Sequence, residues 1–216
     1  MSRRTLILGS FVGTYVVIFG IVAIINWNYE FIFYGIMLLL EIGGILLLDR
    51  RVHFSSAVMI ALAVWGLVHM MGGTVPIPAS VTEPKSPQVF YNLRLHPWLP
   101  KYDQVVHARG FGVATWAAAE ALDHMLRPGR RGVGLFLALL FIGMGLGALN
   151  EVIEFIATRV MPGTNVGGYD NTGWDLVSNM LGAGVAALWW CGRGRRGTPL
   201  GVTEAQAPAP GTRIPR

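Results

Sequence analysis

Three pairs of polar residues recur at helical spacing in this sequence: Asp103 with His107, Glu151 with Glu154, and Asp175 with Asn179. Separations of three and four residues put each pair on one face of a helix. With His69, whose neighbours Gly72 and Gly73 leave room for close approach, they make a set of two imidazoles and several carboxylates. Such donors suit zinc, iron or manganese, with magnesium and calcium less favoured by the histidines. Carboxylates sharing a low-dielectric site cannot all stay ionised without compensation. A divalent metal, protons, Arg109 on the helix of His107, or a cationic substrate would supply it. A metal held by His69, His107, Glu154 and Asp175 would activate a bound water or polarise an ester or phosphoryl oxygen. Asp103 or Glu151 would then serve as general base, with Asp170, Thr172 and Asn179 lining the site.

The elements that must carry these residues are membrane helices. Only 13% of the 216 residues are charged and 53% are hydrophobic, about half the charge of an ordinary soluble domain. That excludes a soluble globular protein. A helix crossing the bilayer needs roughly 20 apolar residues, and six segments approach this length: about 5–25, 31–48, 54–72, 102–125, 132–156 and 172–191. The expected fold is all-α, a polytopic membrane protein with a bundle of six transmembrane helices in residues 1–191. The first segment follows Arg3 and Arg4 as a signal peptide would, yet Val22 to Trp27 holds no small-x-small cleavage site, so a retained helix is expected. One cysteine, Cys191, excludes an intrachain disulfide and a cysteine-based metal site.

Basic residues alternate along the connections, twelve on one side and four on the other, with Arg109 inside a span. The positive-inside rule then places both termini in the cytoplasm of a bacterial inner membrane. The net charge of +5 reflects that topology; with no basic face and no recognition motif, no nucleic-acid partner is expected. Residues 192–216, rich in Gly, Pro, Ala and Arg, are expected to form a disordered cytoplasmic tail. The outer loop 73–101, with aromatic residues Phe90, Tyr91 and Trp98, is expected to lie across the outer face, as a lid or as an interfacial loop anchored by Trp98 and Tyr102.

This orientation brings His69, Asp103, His107, Glu151, Glu154, Asp175 and Asn179 within about 10 Å of the outer face at 1.5 Å per residue. Ionisable groups within spans are costly and default to function; the plainer alternative is that they join helices in the headgroup region by hydrogen bonds. Two further acids lie outside this depth. Glu41 is a mid-membrane carboxylate suited to a proton relay or an interhelical hydrogen bond, and Glu120 is expected to snorkel or pair near Arg127. Gly143, Gly147, Gly182 and Gly184 offer small-residue faces, on which helices five and six are expected to touch.

The segments Leu67–Gly73, Lys101-Tyr102-Asp103 with His107, Glu151-x-x-Glu154 and Asp170-Asn171-Thr172 with Asp175 resemble the YjdF-like bacterial inner-membrane proteins, and more distantly the VanZ proteins linked to glycopeptide resistance. The resemblance spans roughly 65–190. It implies His69, Asp103, His107, Glu154 and Asp175 as the functional set and points toward the cell envelope. Three functions follow from the residues. The first is metal-assisted hydrolysis of a lipid or lipid-linked envelope substrate; no G-x-S-x-G or comparable motif is present. The second is proton- or cation-coupled transport through Glu41, for which six helices are few, so that a homo-oligomer is expected. The third is a non-catalytic envelope interaction protein using the 73–101 loop. An enzyme predicts a bound metal, and a carrier predicts a polar path from Glu41 to the outer cluster.

Overall fold

The computed structural model describes residues 3–82, 86–126, 131–161 and 163–193. Six α-helices form one bundle: α1 (Arg3–Ile25), α2 (Tyr29–Val52), α3 (Ser56–Thr74), α4 (Tyr102–Leu126), α5 (Val133–Val160) and α6 (Tyr169–Gly192). Four of them, α1, α2, α3 and α5, are long and apolar enough to cross a membrane. The other two carry most of the polar groups of the interior. The tail expected from residue 192 lies outside the described residues beyond Arg193, as does Arg127.

The bundle is apolar on the outside. Leu40, Leu47, Phe141, Phe155, Val185 and Leu188 are all exposed, whereas Asp175, Asn179 and Thr115 are at most 1% exposed. Water would penalise that exterior, and lipid solvates it. The polar interior holds together because α4 runs through the centre, packed against α3, α5 and α6, with α1 against α3 and α2 touching α1, α3 and α4.

Small residues set how closely α4 and α6 approach. The space where a Gly182 side chain would stand is taken by the backbone of Ala108, and Gly112 faces the backbone of Gly182 in return. Gly182 of α6 therefore serves α4, while Ala183 and Gly184 face α5, at Gly143 and Leu140, so that α5 and α6 touch there as the spacing suggested. Gly143 and Gly147 of α5 do meet α6, at Ala183 and Asn179, while Gly145 faces open space.

Side-chain links pin the two ends of the bundle. At one end Asn28 donates to the carbonyl of Gly73 (3.2 Å), the Tyr102 hydroxyl to the carbonyl of Val68 (2.9 Å), and Lys101 to Asn171. At the other, His53 closes α2 in the left-handed conformation (φ 55°) and Asp49 accepts from the Phe54 N–H at 2.8 Å. Glu120 is not a snorkelling acid: it accepts from the Ser55 N–H at 2.8 Å and from the Ser55 hydroxyl at 2.7 Å, anchoring the start of α3 to α4. Glu120→Ala removes an acceptor from a half-buried N–H and is expected to cost about 2 kcal/mol. The check is unfolding in detergent, with Glu120→Gln expected to recover part of the loss.

Backbone bonds, not regular structure, join the described residues of the 75–101 connection. Pro76 and Val89 form an isolated antiparallel bridge, Ile77 donates to Gln88 (3.0 Å) and Arg94 to Val81 (2.9 Å), and two 3-10 turns, Ala79–Val81 and Phe90–Asn92, complete it. This places Tyr91 inward against Gly72, where no side chain larger than hydrogen fits. Trp98 at the tip is 89% exposed.

Candidate metal and acid-base site

His107 is the centre of the polar interior. On the Nε2 side stand Asp103 Oδ1 at 3.6 Å and Glu154 Oε1 at 3.7 Å; on the Nδ1 side stand Glu151 Oε1 at 3.4 Å and Asn179 Oδ1 at 3.1 Å. Asp175 joins from α6, so that Asp103, His107 and Asp175 form one group of ligand atoms within 4.8 Å, and His107, Glu151 and Glu154 another. Helical spacing brings Asp103 and His107 onto one face, and the Gly182–Ala108 contact brings α6 close enough for Asn179 to reach the imidazole. An Nδ1–H donating to Asn179 would leave the Nε2 lone pair toward Asp103 and Glu154, the usual way a ligating histidine is oriented.

The acids are short of partners. Neither oxygen of Glu151 accepts a hydrogen bond among the described residues, nor does Oδ1 of Asp175, and both residues are buried. Asp175 Oδ2 accepts from Asn171 at 2.5 Å, which also donates to Asp103 at 3.3 Å, and Glu154 accepts from Asn150 at 2.8 Å. Arg109 is exposed, and the cluster's ion pairs among the described residues all involve His107. Four carboxylates therefore face one imidazole. Orphaned buried acceptors are rare enough to require an explanation, and a cation seated between them is the chemically matched one.

His69 stands apart from both ligand groups. It sits among Phe31, Tyr34, Trp65 and Tyr91, with ring centroids 5.6 to 6.2 Å away, and its Nδ1 is 2.6 Å from the Tyr91 hydroxyl. Burial pushes the Tyr91 phenol well above its ordinary range, so it stays protonated and can donate to the imidazole. His69 does meet the cluster indirectly. A cavity of about 20 Å³ is lined by Tyr34, Glu41, His69, Asn150 and Glu154. It has room for one water molecule, and the Tyr34 hydroxyl beside it is buried without a hydrogen bond among the described residues. Glu41 thus comes closer to the outer acids than its place along α2 implies.

Among the remaining residues singled out in the sequence, Asp170 lines a separate cavity of about 430 Å³ beside the cluster. Thr172 is half-buried in the first turn of α6 and belongs to neither ligand group. Two contributors went unseen. Asn171 touches Lys101, Asp103 and Asp175 together; its spacing of four from Asp175, the same as that from Asp175 to Asn179, is the signal that could have marked it. Glu30, 4% exposed, accepts from the N–H and side-chain amide of Asn165 at 2.8 and 2.6 Å, tying the segment before α6 to α2. It fell at the edge of a span, where an acid draws no notice.

An apolar exterior around a buried polar cluster defines an integral membrane protein. The chain belongs to the family described as "Predicted membrane protein (DUF2238)", whose model matches residues 7–196. No curated protein and no solved structure matches it.

Proposed function

We propose that this protein is a divalent-metal-dependent hydrolase of a lipid or lipid-linked envelope substrate, acting at the outer face of the bacterial inner membrane. All six helices then span, both termini are cytoplasmic, and the bilayer itself supplies the substrate. The envelope assignment follows the YjdF-like and VanZ-like resemblance. The observation that carries the reading is the convergence of Asp103, Glu151, Glu154 and Asp175 on His107, with carboxylate oxygens of Glu151 and Asp175 lacking a hydrogen bond among the described residues. With one imidazole in place of two, the donor set is harder than the sequence suggested, and manganese or iron suits it better than zinc. The metal would polarise a phosphoryl or acyl oxygen and acidify a water. Asp103, beside the Nε2 edge of His107, would take that water's proton.

The test is metal content by mass spectrometry on the full chain, purified in detergent without chelators, together with turnover of a membrane lipid extract. The expected result is near-stoichiometric manganese or iron, lost in His107→Ala and Glu154→Ala, and hydrolysis products that fall at least a hundredfold in Asp103→Asn, in line with loss of a general base. A chain that binds no metal even after divalent ions are added back overturns the proposal.

One observation favours proton-coupled transport as a second reading: the water-sized cavity that joins Glu41 to His69 and Glu154. That reading predicts proton uptake in proteoliposomes that Glu41→Gln abolishes. Uptake unaffected by Glu41→Gln would dismiss it.

A further inference from the structure

The cavity of about 430 Å³ beside the cluster has a different character from the cluster itself. Among the described residues its charged lining is Arg94, Lys101 and Asp170. One wall is the start of α6, where Gly168 stands in the capping position and no side chain caps the helix. The first N–H groups of a helix lack partners within it, and its dipole adds positive potential there. The segment that leads into this wall is held in place by the Glu30–Asn165 clamp. Gly167 passes so close to the Asn171 side chain that no Cβ fits between them.

Position adds to charge. Asn171 forms the partition: it lines the cavity, accepts from Lys101, and donates to Asp103 and Asp175. Trp98, Tyr169 and Trp174 are exposed at this end of the bundle, as aromatic residues are at headgroup level. An anion seated against Arg94 and Lys101 would therefore sit one side chain from the candidate metal ligands, at the depth of a lipid headgroup.

We infer that this cavity binds the phosphate group of a phosphomonoester or phosphodiester through Arg94, Lys101 and the open N-terminus of α6, beside the His107 cluster. The inference rests on the hydrolase reading for its purpose, and names the substrate class of that site. Arg94 and Lys101 supply charge-assisted hydrogen bonds to phosphate oxygens, the helix start supplies backbone donors, and Asp170 opposes the anion's charge.

The experiment uses the full chain in detergent. Inorganic phosphate is titrated calorimetrically, and native mass spectrometry compares retention of phosphatidylglycerol with phosphatidylcholine. Arg94→Gln and Lys101→Gln are each expected to weaken anion binding about tenfold, the loss of one charge-assisted hydrogen bond. Asp170→Asn is expected to strengthen it about threefold, since removing a like charge favours the anion. A purely structural role for these residues would not produce opposite signs. Retention of phosphatidylglycerol over phosphatidylcholine with this pattern identifies a lipid headgroup as the source. Saturable phosphate binding with the same pattern but no lipid preference identifies a soluble phosphate. Binding of neither, or binding indifferent to all three substitutions, overturns the inference. His107→Ala separates the two proposals. It is expected to lose metal and keep phosphate binding, so wild-type protein that binds metal but no phosphate refutes only the cavity, and phosphate binding without any metal refutes only the metal centre.

Discussion

Manganese at a hundredfold excess over its dissociation constant is expected to stabilise the detergent-solubilised protein by about 2.7 kcal/mol, and Glu151→Gln is expected to remove that gain while making the metal-free protein more stable. Both halves follow from one geometry. In the absence of a cation, four carboxylates face a single imidazole in a buried site, and both oxygens of Glu151 are without hydrogen bonds among the described residues. Like charges in low dielectric repel strongly. A neutral amide of the same shape removes one charge and brings donors into a cluster of acceptors, so about 1 kcal/mol of metal-free stability is expected in return. Thermal unfolding of wild type and variant, each with and without manganese, measures all four states. If Glu151→Gln lowers the metal-free stability and manganese stabilises neither protein, the cluster is an interhelical hydrogen-bond network and the metal centre is refuted.

Gly182→Val is expected to destroy the site without touching a single ligand. The position faces the backbone of Ala108 on α4, which cannot turn aside as a side chain could. Overpacking usually costs 1–3 kcal/mol, and a clash with backbone places this substitution at about 3 kcal/mol or more. Relief requires α4 and α6 to separate, which breaks the 3.1 Å bond between His107 and Asn179 and parts Asp103 from Asp175. Metal binding is therefore expected to vanish in whatever protein remains folded. Gly145→Val is the matched control: nothing lies within 4 Å of a side chain there, and the change is expected to stay within about 0.5 kcal/mol. Equal behaviour of the two variants, in unfolding and in metal content, would refute the account of how the site is assembled.

The residues of the cluster were legible because helical spacing is a local property. Asp103 with His107, and Glu151 near Glu154, share faces by backbone geometry alone, and the structure does bring these faces together around one imidazole. His69 shows where that reasoning stops. Its depth along α3 matches the cluster, but depth says nothing of the angle about the helix axis. Tyr91, delivered by a loop with no periodicity to read, holds the imidazole in an aromatic box instead. Glu120 shows a related limit: its charge suggested a partner in Arg127, which lies outside the described residues, and nothing local announced the N–H and hydroxyl of Ser55 at the α3 start from which it accepts.

The sequence by itself determined the membrane character, the number of helices with their ends to within a few residues, and the pairing of polar groups on each face. These depend on composition and on the 3.6-residue period, which a chain carries wherever it goes. Only the tertiary structure decided which faces meet. Glycines at Gly182 and Gly112 let α4 and α6 close on each other, Asn171 came to bridge a basic cavity and an acidic cluster, and Glu41 came to share a water-sized space with Glu154. Helix rotation and approach are set by side-chain packing between segments far apart in the chain, and no local pattern encodes them.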